Sequence, residues 1–295
     1  MVRISNELLE KIIINYGSFF NNISKLPAEK CAHDVVDEDK VHDQVHLLCS
    51  LLGYTPDALK GKMVLEIGSG FGLFVAVTRR DYGWNTIGIE PAGEGFDSSY
   101  ILAHEVLREY NIPEDAIKNA TGENLPFNNE SFDFIFSSTV LEHTNNPELV
   151  LREAHRVLKP GGGMQFVFPN YASFFEGHYA IPWIPYMGTK LGSLWVRLWN
   201  RDPAFIKTLQ LLTYRQIKTW MQKFSDVDVI TYGKEVFIKR MLSIDIKDWA
   251  GLGKIKRLLV IIKKLRILRF VTFLMAAAGS FEPIILTVKK QRPNG

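Results

Sequence analysis

Residues 62–72 read KMVLEIGSGFG, a short apolar run that ends in three glycines at alternate positions. The apolar residues predict a buried strand, and residues 73–82 continue with the pattern of a helix. A glycine-rich turn between a strand and a helix lets a ligand approach the backbone, and the amino end of the helix favours negative charge. Glu66 does not fit this simple picture, because a carboxylate ending a buried strand is costly unless a positive or hydrogen-bonding group meets it.

Length, composition and charge restrict the class of protein. The chain has 295 residues, 46% hydrophobic and 23% charged, which is enough for one large domain or two small ones around a sizeable core. A net charge of +3 is too small to indicate nucleic acid as a partner. Cys31 and Cys49 have no metal-ligand spacing and are predicted to be reduced packing residues. No apolar run approaches the roughly 20 residues that span a bilayer, and no signal-peptide pattern is found, so a cytoplasmic location is predicted.

Strands and helices alternate from residue 62 onwards. The predicted strands are 62–67, 85–89, 116–120, 132–137, 163–168, 227–232 and 284–289. The predicted helices among them are 73–82, 97–110, 147–157 and 213–223. This alternation predicts an α/β fold with a parallel sheet and helices on both faces. Amphipathic helices at 5–26 and 34–52 precede it, so we predict a helical cap over residues 1–57 and an α/β domain over residues 58–295.

Two segments interrupt the alternation of strands and helices. Residues 171–207 are rich in aromatic side chains and contain three of the six tryptophans of the chain. Residues 233–282 lie between two predicted strands and are far longer than a hairpin loop requires. We interpret both segments as insertions into the α/β domain rather than as separate domains.

The glycine loop is compatible with two kinds of nucleoside cofactor. A dinucleotide requires G-x-G-x-x-G, but Leu73 occupies the position of the third glycine. Glu66 would bring negative charge beside a pyrophosphate, whereas it suits the ammonium group of S-adenosylmethionine, with Gly68 and Gly70 lying against the methionyl part. A tight turn with a coincidental acid is the alternative for the loop alone. Glu90, about 20 residues further on, ends the second strand where a carboxylate accepts hydrogen bonds from ribose hydroxyls.

Four stretches of the chain follow one another in the order and spacing of a known family. They are VLEIGSGFG (64–72), IGIEP (87–91), ENLPFNNESFDFIFSSTVLEH (123–143) and EAHRVLKPGGGMQFVFPN (153–170). Residues 62–168 resemble the core of a class I S-adenosylmethionine-dependent methyltransferase, of the group that contains the ubiquinone/menaquinone methyltransferases. The resemblance implies a Rossmann-like, seven-stranded, mostly parallel sheet with an antiparallel last strand, and S-adenosylmethionine as the cofactor.

The resemblance also implies cofactor contacts beyond Glu66 and Glu90. It extends the cofactor-binding loop to Gly72 and adds Ser137 at the end of the fourth strand. The family usually has an acid that contacts the adenine, but here the matching residues are Thr121, Gly122 and Glu123. We therefore expect the adenine to rely on the backbone near Gly122 and Glu123.

Methyl transfer from a sulfonium requires an acceptor atom in line with the methyl group, and a base where the acceptor carries a proton. The acceptor is expected beyond the carboxyl ends of strands four and five. His143 lies there, and the motif EGHY at 176–179 places His178 in the first insertion. Both histidines are candidate bases, with loop packing or capping as the alternative role.

The expected acceptor is a hydroxyl of a small molecule or glycan. The alternatives are C-methylation of a quinone- or lipid-like ring, and a catalytically silent protein that binds the cofactor. No metal site is predicted, because His42 and His46 on the second helix lack a third ligand. Residues 254–278 begin with a basic and apolar stretch, which indicates either peripheral membrane contact or a helix packed on the domain.

Overall fold

The computed structural model describes residues 4–93, 97–243 and 267–292. The strands are β1 (Met63–Ile67), β2 (Asn85–Glu90), β3 (Ile117–Asn119), β4 (Phe132–Ser138), β5 (Leu158–Phe168), β6 (Phe175–Glu176), β7 (Ile181–Pro182), β8 (Val227–Thr231) and β9 (Ile284–Lys290). Seven of them form one sheet in the order β3-β2-β1-β4-β5-β9-β8, and β6 pairs with β7 separately. Strands β1 to β5 are parallel, and β9 is antiparallel to both of its neighbours. The predicted α/β fold with an antiparallel last strand is confirmed.

The central strands are apolar along their length because both faces of the sheet are covered. Val64 and Phe136 point into one buried cluster, and Leu65 and Ile135, their neighbours along the chain, point into the other. Side chains alternate between the faces of a strand, so a strand buried on both sides reads as a continuous apolar run. This explains why VLEI is apolar at three of its four positions and why Glu66 stands out among them.

The helices cover both faces of the sheet and fill the segments before and between the strands. They are α1 (Asn6–Ile23), α2 (Ala28–Val35), α3 (Glu38–Leu52), α4 (Leu73–Tyr82), α5 (Asp97–Glu109), α6 (Pro147–Val157), α7 (Thr189–Leu198), α8 (Tyr214–Met221), α9 (Lys234–Ser243) and α10 (Leu268–Ala278). The ring of Tyr16 in α1 lies 5.5 Å from the ring of Phe71, centroid to centroid. The helical cap therefore reaches the glycine loop directly.

Several predicted boundaries differ from the structure, and two differences are the largest. The predicted helix over 34–52 is two helices, because Asp37 has an extended backbone and its side chain accepts a hydrogen bond from the Asp39 amide as the N-cap of α3. Strand β5 begins at Leu158 instead of residue 163. Leu158 pairs with Phe132 and Gly163 with Phe134, so residues 159–162 bulge out of the ladder.

Both insertions leave the sheet at one edge. The carboxyl ends of the parallel strands β1, β4 and β5 share that edge, and Phe168 at the end of β5 pairs with Ile284 at the start of β9. Strand β8 is antiparallel to β9, so its carboxyl end lies at this edge too. Residues 171–207 and 233–282 therefore emerge beside the end of β1, where the glycine loop begins.

The first insertion has a small core of its own. Tyr179, Trp183, Val196 and Ile206 are buried together there, with Ile23 of the helical cap packed against them. This packing orders an aromatic segment that has little regular secondary structure. It also joins the helical cap to the edge of the sheet from which the insertion leaves.

The segment 254–278 is described only in part, since residues 254–266 lie outside the described residues. In α10, Leu268, Thr272 and Ala276 are buried, whereas Phe270 and Leu274 are exposed. Among the described helices, none is long and apolar enough to cross a membrane. Contact between 254–278 and a membrane surface stays a prediction.

Candidate functional site

The glycine loop joins β1 to α4 and is tied to β2. The amides of Gly68 and Ser69 both donate to the Ile89 carbonyl, at 3.0 and 2.9 Å. All three glycines have positive φ. A Cβ atom on Gly68 would lie 2.2 Å from a methyl group of Val140, and one on Gly72 would lie 2.6 Å from the Ile117 side chain. Only Gly70 has open space there, so it is the glycine of this loop that leaves room for a ligand.

Glu66 is the next-to-last residue of β1, beside this loop, and is buried. Its Oε2 atom has no hydrogen-bond partner within the described residues. Burial raises the pKa of Glu66 to about 8; the Ser69 side chain opposes this shift and the nearby Glu90 carboxylate adds to it. A buried carboxylate oxygen that has lost water and gained no hydrogen bond is a site for a positively charged group of a ligand.

Glu90 ends β2 and is only 5% exposed. Its Oε2 atom accepts a hydrogen bond from the Gly70 amide at 2.9 Å, which joins the glycine loop to the end of the second strand. Burial raises the pKa of Glu90 to about 7, and the Gly70 hydrogen bond acts in the opposite direction. Two buried carboxylates therefore lie at neighbouring strand ends, on either side of the loop.

The other predicted cofactor residues have partners inside the protein. The Ser137 hydroxyl donates to the Ile67 carbonyl at 2.8 Å and thereby links the ends of β4 and β1. Glu123 Oε1 accepts from the amides of Asn145 and Asn146, at 2.8 and 3.2 Å. Gly122 is buried, so the backbone at 122–123 is what this segment offers to an adenine. That contact stays a prediction.

The candidate bases His143 and His178 lie together although they are far apart in the sequence. Their rings are perpendicular, with centroids 5.2 Å apart. The Nε2 atom of each lies 3.7 Å from Oε1 of Glu142, in the short 3-10 helix Leu141–His143. Glu142 is fully buried, and neither of its carboxylate oxygens has a hydrogen-bond partner among the residues that the structure describes.

The electrostatics of the two histidines differ. Burial lowers the pKa of His143 to about 3, with His178 adding to the shift, so the imidazole of His143 is neutral. Burial also lowers the pKa of His178, but Glu176 and Glu142 outweigh this effect and leave it above its ordinary value. Burial raises the pKa of Glu142 to about 7, partly offset by His178.

Glu176 holds His178 in place. The two side chains are 2.8 Å apart, from Nδ1 to Oε1, and because a carboxylate only accepts, the proton lies on Nδ1. The Tyr171 hydroxyl donates to Oε1 and the Tyr179 amide to Oε2. The sequence predictions placed Glu142 on the acceptor side but gave no role to it or to Glu176, although an acid stands near each histidine, in LEH and in EGH.

Comparison with known proteins identifies the kind of domain that residues 65–166 resemble. Residues 65–166 match the family described as "Methyltransferase domain". The protein Rv1509 of Mycobacterium tuberculosis is 35% identical over 122 residues, which are 41% of this chain and 41% of that relative. The chain thus matches less than half the length of that curated relative.

Two solved structures share the fold. Phosphoethanolamine N-methyltransferase 2 of Haemonchus contortus, in complex with S-adenosyl-L-methionine, is 15% identical with a TM-score of 0.51, covering 95% of this chain and 56% of that one. The [4+2]-cyclase SpnF is also 15% identical, with a TM-score of 0.51, covering 97% of this chain and 93% of that one. At this identity the likeness concerns the fold alone.

Residues 65–166 are therefore a methyltransferase domain of the S-adenosylmethionine-dependent class. The site fits that cofactor on two observations. The Glu66 carboxylate is buried and has no hydrogen-bond partner for Oε2 in the described residues, so this oxygen is available to an ammonium group. The space above Gly70 is open, and a side chain at position 70 would occupy it. The narrower resemblance to the ubiquinone/menaquinone methyltransferases stays a prediction.

Proposed function

We propose that the protein transfers a methyl group from S-adenosylmethionine to a hydroxyl of a small molecule or glycan. The observation that carries this proposal is the buried Glu66 carboxylate at the end of β1, whose Oε2 atom lacks a partner in the described structure. A pyrophosphate cannot satisfy such a carboxylate, whereas an ammonium group can. The activity proposed for the whole protein is inferred from this site and from the match of residues 65–166 to a methyltransferase domain.

The two carboxylates have separate tasks in this proposal. Glu66 receives the amino group of the cofactor, directly or through water, and Glu90 accepts hydrogen bonds from the ribose hydroxyls. Glu90 already accepts from the Gly70 amide with Oε2, so it orders the loop and the ribose together. When bound, the cofactor supplies an electrophilic methyl group, and the protein positions the acceptor and excludes water.

The acceptor is proposed to reach the cluster of Glu142, His143 and His178. This cluster follows directly after Val140, whose side chain fills the space over Gly68, so the glycine loop and the cluster are in contact through one residue. The insertion that contributes His178 also presents Phe174, which is 52% exposed, beside the same edge. Aromatic faces of this kind can stack on a sugar or quinone ring.

A hydroxyl acceptor must lose its proton during transfer, and this requirement distinguishes it from the alternatives. The His143–His178 pair offers two imidazoles close to a buried carboxylate. His178, whose pKa lies above its ordinary value, is the stronger base of the two, whereas the lowered pKa of His143 makes it a weak one. C-methylation of a quinone- or lipid-like ring is the second candidate acceptor chemistry, and the aromatic insertion is compatible with it.

A protein that binds S-adenosylmethionine without transferring methyl is the rival of another class. The structural neighbour named a [4+2]-cyclase shows that this fold occurs in a protein whose name is not that of a methyltransferase. Fold alone therefore does not decide between the enzyme and the binding protein, and the decision requires a measurement of transfer.

The test combines calorimetry with labelled methyl transfer. Purified protein is expected to bind S-adenosylmethionine and its demethylated product but not NAD, and to label an acceptor in an extract. Glu90→Ala should weaken cofactor binding by about 1.5–3 kcal/mol, the usual loss for hydrogen bonds to a charged group. Binding of NAD without S-adenosylmethionine would contradict the proposed cofactor site. Cofactor binding with no labelled component would favour the silent binding protein.

A further inference from the structure

We propose that Glu142, His143 and His178 form a binding site for a divalent transition-metal ion, with zinc as the probe ion. Each residue offers one ligand atom, and the three atoms lie within 4.8 Å of one another. Metal binding can be tested by itself, whereas its role at an acceptor hydroxyl rests on the proposed methyl transfer. The proposal departs from the sequence prediction that the chain has no metal site.

The buried carboxylate of Glu142 is the first reason for this proposal. It is fully buried, and both of its oxygens lack a partner in the part of the chain that the structure describes. A carboxylate without hydrogen bonds is costly to bury in its ionised form, and the His178 ring offsets this cost only in part. A cation bound to its oxygens would remove that cost.

The orientation of His178 is the second reason. Its Nδ1 atom is held by Glu176 at 2.8 Å, so Nε2 is the ring nitrogen turned towards Oε1 of Glu142, 3.7 Å away. A metal ion between these two atoms would bind both of them and would compete with a proton for Nε2. A histidine that donates its other proton to a carboxylate is also the usual arrangement of a metal ligand.

The spacing suits a small ion. Ligand atoms at about 2.0–2.1 Å from a tetrahedral zinc lie about 3.3–3.5 Å apart. Both Nε2 atoms lie 3.7 Å from Glu142 Oε1, a few tenths of an ångström beyond that spacing, and all three ligand atoms lie within 4.8 Å of one another. Two histidines and one glutamate leave a further position open, as in zinc sites that perform catalysis.

The cluster is accessible, and its surroundings resemble those of a metal site. The side chains of His143 and His178 are 24% and 15% exposed, so an ion can enter from solvent. The ring of Phe205 lies 5.9 Å from His143 and 5.4 Å from His178, between centroids, and forms an apolar wall. A fourth, open position facing the acceptor would bind a hydroxyl, whose proton then passes to solvent more easily.

A second cluster of possible ligands provides a contrast. Glu38, His42 and Asp81 also lie within reach of one ion. There, however, Arg80 already supplies the positive charge, since it contacts Glu38 at 2.9 Å and Asp81 at 2.5 Å. In the described residues no lysine or arginine forms an ion pair with Glu142, and only the two histidine rings lie near its Oε1 atom, of which His178 can carry a counter-charge. The two clusters therefore compare similar ligands with and without an arginine beside the carboxylate.

The experiment is calorimetric titration of chelator-treated protein with zinc, with thermal unfolding measured alongside. The wild-type protein should bind one zinc ion per chain, and zinc should raise its melting temperature because it binds only the folded state. Glu142→Gln and His178→Ala should weaken binding at least about 100-fold. Glu176→Gln, which loosens His178 but removes no ligand, should weaken it about 10–100-fold.

His42→Gln is the matched control, because it removes a histidine from the cluster that Arg80 already neutralises, and it should bind zinc like the wild-type protein. Glu142→Gln is nearly isosteric and removes a buried charge, so it remains informative if His178→Ala fails to fold. Absence of saturable zinc binding by the wild-type protein, or equal affinity of wild-type protein and Glu142→Gln, would overturn the site.

Labelled transfer in the presence of a chelator separates this inference from the proposed function. Loss of transfer on chelation, with recovery on adding zinc, would support a role of the ion at the acceptor. Full transfer by metal-free protein that does bind zinc would leave the site standing and remove that role. Transfer by a protein that never binds zinc would refute the metal site while supporting the methyltransferase.

Discussion

At the scale of a single residue, Glu66 links the cofactor site to the stability of the fold. Its pKa is about 8 in the folded protein, against an ordinary value of 4.5, because it is buried. Between these values the folded protein keeps a proton that the unfolded chain has lost. The free energy of unfolding should therefore fall as the pH rises from about 4.5 to about 8.

We expect Glu66→Gln to abolish the part of the pH dependence of the unfolding free energy that comes from Glu66, which is up to about 1.4 kcal/mol for each pH unit. Urea unfolding of both proteins between pH 5 and pH 8 without cofactor measures the difference, since the other buried acids are present in both. Saturating S-adenosylmethionine should shrink the difference if its ammonium group pairs with Glu66. Parallel curves for the two proteins would show that Glu66 does not titrate in this range.

At the scale of one element, the glycines of the loop between β1 and α4 have different tasks. All three have positive φ, so an alanine at any of them is strained by about 1–2 kcal/mol. A Cβ atom on Gly68 would also overlap Val140, whereas one on Gly70 would meet only open space. Gly68 therefore allows close packing against Val140, which follows β4, whereas Gly70 leaves room for the cofactor.

Gly68→Ala should consequently lower the free energy of unfolding by about 1–3 kcal/mol more than Gly70→Ala does, because overpacking adds to strain. Gly70→Ala should reduce cofactor affinity more than it reduces stability. Denaturant unfolding and calorimetry on the two variants measure both quantities. Equal loss of stability in both, with cofactor affinity untouched in Gly70→Ala, would be incompatible with this division of tasks.

At the scale of the whole molecule, the sheet binds the cofactor and the insertions surround the acceptor side. Glu66 and Glu90 end two strands, whereas His178 comes from the first insertion and His143 from the turn after β4. Of His143→Ala and His178→Ala, the variant that lacks the catalytic base should therefore lose methyl transfer by about 10²–10⁴-fold. Cofactor affinity, measured separately by calorimetry, should stay within a few-fold of the wild-type value. Transfer at the wild-type rate by both variants would favour a mechanism that relies on proximity alone.

The sequence by itself determined the elements whose signals are local. Helices α4 and α6 were predicted to the residue, because Gly72 and Gly83 bracket the first and Asn146 followed by Pro147 begins the second. The strands were recognised because sheets covered on both faces leave continuous apolar runs. The prediction from local sequence was wrong at Asp37, because the acidic run around it has helical character although Asp37 itself is the N-cap of α3.

Only the tertiary structure decided the composition of the acceptor site. His143 and His178 are 35 residues apart, and nothing in the intervening sequence indicates that their rings lie 5.2 Å from each other. Glu142 resembles any acid in a loop until burial removes its water and leaves both oxygens without a partner. Periodicity and turn chemistry act between neighbours in the chain, whereas desolvation and the meeting of charges depend on which segments the fold brings together.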